Sequence, residues 1–183
     1  MARPSANLRL FVAIFPDPST VAAILELLGK LDIPSYRARP AEQVHATVQF
    51  IGDTPSADLD ATVESVRRSA AGLSAFAIAP SRLITLPERG PARLVAAELQ
   101  GHPTLMEVHR RLVTRLAHNV RSRDAERYRP HLTLCRFRSP ARGVRLDVPL
   151  DLPPFAVNRI ALMRSTLSSS GAIHHEVASC ELE

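Results

Sequence analysis

The sequence of 183 residues has only two cysteines and no apolar run long enough to cross a membrane. Cys135 and Cys180 are too few for a disulfide framework and lack metal-ligand spacing, so we expect both to be reduced and structural. Cys135 lies two residues beyond Thr133, so it could share a strand face with that residue. A membrane helix needs about 18 apolar residues, and a secretory signal needs a basic start before an apolar core. The sequence therefore predicts a soluble, cytoplasmic protein.

Three common signatures of catalysis and cofactor binding are also missing from the sequence. It has no glycine-rich phosphate loop, no zinc-ligand spacing and no G-x-S-x-G nucleophile elbow. We therefore expect no metal and no cofactor.

Basic residues outnumber acidic ones by 23 to 18, which gives a net charge of +5. Such a balance fits an anionic partner such as RNA. The basic residues cluster in the segment 121–129, and phosphate contacts there would add affinity that depends on salt. Charge runs also form solvated loops, so this cluster leaves both interpretations open.

The most informative pattern is a repeated His-x-Thr, at His45 to Thr47 and again at His131 to Thr133. Apolar residues flank both copies, and a proline or turn-rich run precedes each, which is typical of strands. Residues two apart on a strand face the same side. Each copy therefore offers an imidazole and a hydroxyl on one surface.

Two such strands lining one cleft would suit transfer at a phosphate diester. A histidine has a pKa near 6.5, so one imidazole can accept a proton while the other donates one. Threonine hydroxyls can bond the non-bridging phosphate oxygens, and an arginine can add charge-assisted bonds. Arg136 is the natural candidate, but its odd offset from His131 requires a strand end or a bulge to bring both to one face.

Other residues are weaker candidates. Phe11 could stack on a nucleobase or simply belong to the core. Arg37 and Arg39 lie in a predicted loop before the first motif and are candidate RNA contacts, as is Arg129 before the second motif.

The remaining histidines are predicted to be structural. His174 and His175 are neighbours on a strand and point to opposite faces, so only one of them could approach the cleft. His102, His109 and His118 lie on or at the ends of a predicted helix and are expected to be surface or capping residues.

Apolar periodicity predicts alternating strands and helices along the chain. Strands are predicted at 8–14, 44–53, 74–86, 93–99, 128–137, 157–167 and 173–182, with loops at 31–43 and 139–154. Helices are predicted at 18–29, from 56 or 58 to 72, and from 103 to about 118. Asp17 is the predicted cap of the first helix, whose first turn starts with Pro18. Periodicity alone thus indicates a mixture of strands and helices.

The chain resembles the 2H phosphoesterases, most closely the bacterial RNA 2′,3′-cyclic phosphodiesterases, also called 2′-5′ RNA ligases. The resemblance spans the opening strand, both motifs, the helix around His109 and the closing segment 160–172. The first motif departs from the family's commonest form at Ala46, Val48 and Gln49. The position of Gln49 is commonly a lysine in the family, so a basic contact to the substrate is lost there.

The resemblance implies one α+β domain over 1–183. It would have two pseudo-symmetric lobes around a central cleft, each an antiparallel sheet with covering helices. The implied reaction is metal-independent hydrolysis of RNA 2′,3′-cyclic phosphate ends, or of a cyclic nucleotide, to 2′-phosphates. His131 would act as general base and His45 as general acid, Thr47 and Thr133 would hold the phosphate, and Arg136 would stabilise its charge.

Three alternatives remain open. The same site could run in reverse and join RNA ends through a 2′-5′ linkage. The substrate could be a small cyclic phosphate such as that of ADP-ribose. The chain could also be a non-catalytic RNA-end-binding module, although both histidines and both threonines are present. We expect a monomer.

Overall fold

The computed structural model describes residues 7–116, 128–168 and 171–183. It contains three α-helices and eleven strands in these residues. The helices are α1 (Pro18–Gly29), α2 (Leu59–Ala70) and α3 (Pro103–Leu116). The strands are β1 (Asn7–Ile14), β2 (Tyr36–Ala38), β3 (Ala46–Pro55), β4 (Phe76–Ile78), β5 (Pro80–Leu86), β6 (Ala92–Leu99), β7 (His131–Ala141), β8 (Asp147–Pro149), β9 (Phe155–Val157), β10 (Arg159–Ser168) and β11 (Gly171–Glu181).

Local signals set the helix starts where the sequence predicts them. The Asp17 carboxylate accepts the backbone N–H of Thr20 at 2.9 Å, and Pro18 occupies the first helical position of α1. At the start of α3, the His102 imidazole accepts the backbone N–H of Thr104 at 3.2 Å. The predicted capping roles of Asp17 and His102 are confirmed.

Within the described residues, nine strands form one antiparallel sheet in the order β11-β10-β1-β3-β7-β6-β5-β8, and β2 also pairs with β7. A separate pair is formed by β4 and β9. The two motif strands, β3 and β7, are neighbours at the centre of the sheet. They join through a single residue pair, Ala46 opposite Leu132.

The sheet contains the expected internal repeat. The unit β1-α1-β3 places a helix between two antiparallel strands, and the unit β6-α3-β7 does the same. The α+β class with antiparallel halves is confirmed. The structure adds that the halves are continuous, because the pair of Ala46 and Leu132 links them.

All three helices pack on one face of the sheet. Alternate residues of β1, such as Leu10 and Val12, meet apolar residues of the helices, such as Ile24 and Leu105, in one buried core. Of the described residues, no α-helix covers the opposite, open face, which carries a small cluster around Phe11 and Phe15. None of the described helices is long and apolar enough to span a bilayer.

Two predicted loops contain short strands. The segment 31–43 includes β2 and a 3₁₀ turn at Ala41–Gln43, because β2 pairs with the part of β7 that extends past β3. The segment 139–154 includes the end of β7 and the short strand β8, which pairs with β5.

Candidate active site

The four motif side chains share the open face of the sheet. Ala46 and Leu132 are fully buried in the core on the helix-covered side. The histidine and threonine that flank each of them therefore face the opposite side. Because the two strands are antiparallel, the pairing of Ala46 with Leu132 brings each histidine toward the threonine of the other motif.

The two imidazoles are held in the same way. The Nδ1–H of His45 donates to the Gln43 carbonyl at 2.7 Å, and the Nδ1–H of His131 donates to the Arg129 carbonyl at 2.8 Å. A carbonyl can only accept, so Nδ1 must carry the hydrogen in both rings. The Nε2 atom of each ring remains available to exchange a proton with a ligand.

The surroundings of His45 are strongly desolvating. Its side chain is only 9% exposed and packs against the rings of Phe11 and Phe15, with centroid distances of 5.1 and 5.6 Å. Burial lowers the pKa of His45 to about 4, and the charges of Arg39, His174 and His131 act in the same direction. The bond to the Gln43 carbonyl opposes this shift. In the free protein at neutral pH, His45 is therefore a neutral imidazole.

The two threonine hydroxyls are available to a ligand. Thr47 and Thr133 are half-buried. Hydroxyls on these neighbouring strands can donate to the non-bridging oxygens of one phosphate.

A bulge in β7 brings Arg136 to the face of the histidines. Thr133 pairs with Ala96 and Cys135 pairs with Val95, so Leu134 is an extra residue without a partner on β6. The extra residue reverses the alternation beyond it. This is the bulge that a shared face requires, and the prediction of that condition is confirmed.

The same bulge turns Cys135 away from the open face. Its side chain is fully buried in the core, and burial raises the pKa of its thiol. The suggestion that it shares the face of Thr133 is therefore wrong. The prediction that both cysteines are structural is confirmed, because Cys135 and Cys180 are free and buried.

Arg37 and Arg39 line a cleft beside the motif strands together with Arg136. The cleft has a volume of about 330 Å³. Arg37 is exposed, and Arg39 is half-buried. The structure thus brings three of the predicted site arginines together.

Two candidate RNA contacts are placed differently. Phe11 is 4% exposed and packs against His45, so it supports the imidazole and presents no free face to a base. The guanidinium of Arg129 binds the carboxylates of Glu98 and Glu88 through Nε and Nη1. Phe11 is therefore a core residue, whereas an RNA contact of Arg129 stays a prediction.

His174 belongs to the site, although its sequence context favours a structural role. Its ring lies edge-on to His45 at 5.3 Å and to Phe11 at 4.9 Å. Its Nε2 accepts a hydrogen bond from Arg39 Nη1 at 3.3 Å. The sequence shows that His174 and His175 point to opposite faces of a strand, so only one of them can face the cleft. It does not show which one, because that depends on how β11 pairs in the sheet.

One of the remaining histidine predictions is wrong. His109 is buried, and its Nδ1–H donates to the Val48 carbonyl at 2.7 Å while its ring stacks on Tyr128. It therefore connects α3 to β3 from inside the protein. His118 and the basic positions 121–127 lie outside the described residues. In the part of the chain that is described, no three His, Cys, Asp or Glu side chains are grouped to hold a metal ion.

Comparison with known proteins agrees with the geometry. The family model of the 2′-5′ RNA ligase superfamily matches residues 15–168. The RNA 2′,3′-cyclic phosphodiesterase of Thermotoga maritima is 24% identical over 181 residues, which are 96% of each chain. The protein of the same name from Thermus thermophilus is 28% identical over 173 residues, covering 91% of this chain and 86% of the relative.

Solved structures show the same fold. A crystal structure from Thermus thermophilus superposes with a TM-score of 0.79 and 24% identity, covering 95% of this chain and 97% of the other. E. coli LigT in its apo form gives a TM-score of 0.77 at 20% identity, covering 97% and 99%. The matched family model and the shared fold confirm the resemblance seen in the two motifs: the chain belongs to the 2′-5′ RNA ligase superfamily, whose fold is that of the 2H phosphoesterases.

Proposed function

We propose that this chain hydrolyses RNA 2′,3′-cyclic phosphate ends to 2′-phosphates, with His45 and His131 as its acid and base. The observation that supports this proposal most strongly is the matched pair of imidazoles on neighbouring strands. Each is held by Nδ1 to the carbonyl two residues earlier, which leaves Nε2 for the reaction. Such preorganisation is what general acid–base catalysis requires.

The names of the relatives support a cyclic phosphate as the substrate. The matched proteins of Thermotoga maritima, Thermus thermophilus and Aquifex aeolicus are each named RNA 2′,3′-cyclic phosphodiesterase. E. coli LigT, which shares the fold, has been crystallised with 3′-AMP and with phosphate. A nucleotide phosphate is therefore the natural occupant of the His-x-Thr surface.

In the proposed reaction, His131 accepts a proton from water as the water oxygen bonds to phosphorus. His45 donates its proton to O3′ as the bond between phosphorus and O3′ breaks. The product is a ribose with a 2′-phosphate and a free 3′-hydroxyl. The two histidines then return to their starting protonation states by exchange with solvent.

The threonines and Arg136 act on the charge of the phosphate. The hydroxyls of Thr47 and Thr133 bond its non-bridging oxygens, and Arg136 adds positive charge from the same face. Groups fixed before the reaction stabilise charge that develops in the transition state without further reorganisation.

The acid role of His45 depends on the substrate. Its pKa of about 4 leaves it unprotonated in the free protein at neutral pH. The anionic cyclic phosphate offsets the nearby positive charges and favours the imidazolium. Binding of the substrate therefore favours the protonation of His45 that its acid role requires.

The same site could also join two RNA ends. A 5′-hydroxyl in place of water would attack the cyclic phosphate, O3′ would leave, and a 2′-5′ linkage would form. Water is far more concentrated than RNA ends, so we propose hydrolysis as the main activity. The ratio of ligated to hydrolysed product measures the balance.

The direct test is incubation of the purified protein with a 2′,3′-cyclic mononucleotide in the presence of a chelator, followed by phosphorus NMR. A 2′-phosphate formed under these conditions supports the mechanism and its polarity. A 3′-phosphate would mean that O2′ leaves instead. If neither forms, ADP-ribose cyclic phosphate and an oligonucleotide are the next substrates. Tight binding of an RNA end without turnover would favour the binding-module alternative.

A further inference from the structure

Three arginines line the cleft next to the candidate active site. Arg37 and Arg136 are directly opposite each other on the paired strands β2 and β7. Arg39 follows at the end of β2, and the cleft is also lined by Ala172 and Ile173 of β11. The cleft thus combines a strongly positive wall with small and apolar side chains.

This arrangement is unfavourable in the free protein. Like charges directly opposite each other on adjacent strands destabilise a sheet. Burial lowers the pKa of the Arg39 guanidinium, and the charge of Arg136 adds to that effect. Among the described residues, no carboxylate lies within 4.0 Å of any of the three guanidinium groups. A bound anion would relieve the repulsion.

Two other arginines of the sheet region are neutralised by acids. Arg82 and Arg129 share the carboxylate of Glu98, and Asp147 and Glu88 bind the two guanidinium groups from the other side. The three arginines of the cleft differ from this pair because they lie around one concave surface, where a single bound anion could contact more than one guanidinium.

Arg39 is fixed in this position from two sides. Its backbone N–H donates to the carbonyl of Leu134, the bulge residue of β7, at 2.7 Å. Its guanidinium donates to His174 Nε2 at 3.3 Å, and the ring of His174 lies 5.3 Å from that of His45. The arginine cleft is therefore directly adjacent to the catalytic imidazole.

We propose that the arginine cleft is a second anion subsite, in which Arg37 and Arg39 bind a phosphate on the 5′ oxygen of the ribose that carries the cyclic phosphate, while Arg136 acts on the cyclic phosphate itself. The inference rests on the proposed function, since the His-x-Thr surface must hold the cyclic phosphate. In a nucleoside 2′,3′-cyclic phosphate, O2′ and O3′ are both part of the ring and C1′ carries the base. Only O5′ can bear another phosphate, so a second anion beside His45 must be attached there.

The first experiment compares two substrates that differ only in this phosphate. They are adenosine 2′,3′-cyclic phosphate and its 5′-phosphorylated counterpart. Charge-assisted hydrogen bonds predict that kcat/KM is about tenfold or more higher for the 5′-phosphorylated compound. Equal values for the two substrates would overturn the subsite.

Arg39→Gln tests whether the cleft causes the preference. The readout is the ratio of the two kcat/KM values, because this ratio cancels any effect that Arg39 has on His45. We expect the ratio to fall to within about threefold of unity. Arg67→Gln is the matched control, since it removes the same charge from the helix-covered side and should keep the wild-type ratio. A wild-type ratio in Arg39→Gln would contradict the proposal.

A second pair of variants tests how Arg39 is positioned. His174→Phe keeps a ring beside His45 but cannot accept from the guanidinium, so the ratio should fall. His174→Gln keeps an acceptor and should retain more of the preference. If both variants keep the wild-type ratio, His174 does not position Arg39.

Binding without turnover separates the subsite from the reaction. Calorimetry with adenosine 2′-phosphate and adenosine 2′,5′-bisphosphate needs no hydrolysis. Tighter binding of the bisphosphate, lost in Arg39→Gln, would support the subsite even if neither cyclic substrate reacts and the proposed activity fails. Equal dissociation constants would overturn the subsite even if hydrolysis is observed.

Two natural compounds carry the required 5′ phosphate, and they are distinguished by direct comparison. One is the RNA dinucleotide ending in a 2′,3′-cyclic phosphate, and the other is ADP-ribose cyclic phosphate. The quantity compared is the increase in kcat/KM over adenosine 2′,3′-cyclic phosphate. A larger increase for the dinucleotide identifies the internucleotide phosphate of RNA as the ligand, whereas a larger increase for ADP-ribose cyclic phosphate identifies a diphosphate. A gain with neither contradicts the proposal.

Discussion

The two His-x-Thr motifs make the same backbone contact but lie in different surroundings. His45 is enclosed by Phe11, Phe15 and His174, whereas His131 is only half-buried at the start of β7. The repeat provides two equivalent imidazoles, and the tertiary structure makes them unequal. In the proposed mechanism, this inequality lets two identical groups take opposite roles as acid and base.

The largest effect should come from removing either imidazole. His45→Ala and His131→Ala should each lower kcat about 10²–10⁴-fold, because each removes one proton transfer. The double variant should lose much less than the product of the two losses, since the pair acts as a unit. His175→Ala, an exposed histidine on the other side of β11, is the matched control. A His45→Ala variant that keeps more than about a tenth of the activity would contradict the mechanism.

The pH dependence of stability should single out His45. Its pKa is about 4 when folded and near 6.5 when unfolded, so the unfolded chain binds more protons between these values. The free energy of unfolding should therefore fall as the pH is lowered from 6.5 to 4. The loss attributable to His45 is on the order of 3 kcal/mol.

Denaturant unfolding of the wild type and of His45→Gln over this pH range isolates that contribution. Groups that titrate in both proteins cancel in the difference. The wild type should lose stability relative to the variant as the pH falls. Parallel curves would mean that burial does not depress the pKa of His45.

The threonines should contribute less than the histidines but equally to each other. Thr47→Val and Thr133→Val keep the side-chain shape and remove one donor each. Losing a hydrogen bond to a charged oxygen should lower kcat/KM by about 10–100-fold. Steady-state kinetics on a cyclic nucleotide measures both variants, and a strong inequality would show that the phosphate lies nearer one motif.

A bound anion should raise the low pKa of His45. An opposite charge close by raises the pKa of a histidine by roughly one to three units. Inorganic phosphate should therefore raise the pKa of His45, which NMR titration of its imidazole can follow. A pKa that does not move in saturating phosphate would contradict the idea that substrate binding protonates the acid.

The smallest effect concerns the residue that holds His131. The carbonyl of Arg129 accepts from His131, and the carbonyl of Gln43 accepts from His45. The side chain of Arg129 is also held by ion pairs with Glu98 and Glu88, whereas the neutral side chain of Gln43 forms none. Arg129→Gln should lower kcat by about fivefold or less, as expected for a partly exposed ion pair. No equivalent loss is expected for Gln43→Ala, whose carbonyl remains.

Much of the site follows from local pattern. The period-two spacing of His45 and Thr47 places both on one strand face, and the same holds for the second motif. The need for a bulge before Arg136 also follows from counting residues along the strand. Which residue bulges does not, because that depends on how β6 pairs with β7.

Long-range packing explains two features that local sequence does not show. Arg129 lies in a basic stretch and looks available to RNA, but Glu98 and Glu88 reach it from other parts of the chain. His109 occupies a helix position like any surface histidine, yet it binds the Val48 carbonyl, which the register shift between β1 and β3 leaves without a partner on β1. Neither contact leaves a mark in the local sequence.

The sequence by itself determined the repeat, the two strand faces and the chemistry of two imidazoles with two hydroxyls. These depend only on residue type and on the fixed alternation of a strand. Only the tertiary structure decided that His174 meets His45, that Cys135 turns inward and that three arginines share one cleft. Those features arise where strands distant in sequence become neighbours, and burial and charge at such places depend on the whole sheet.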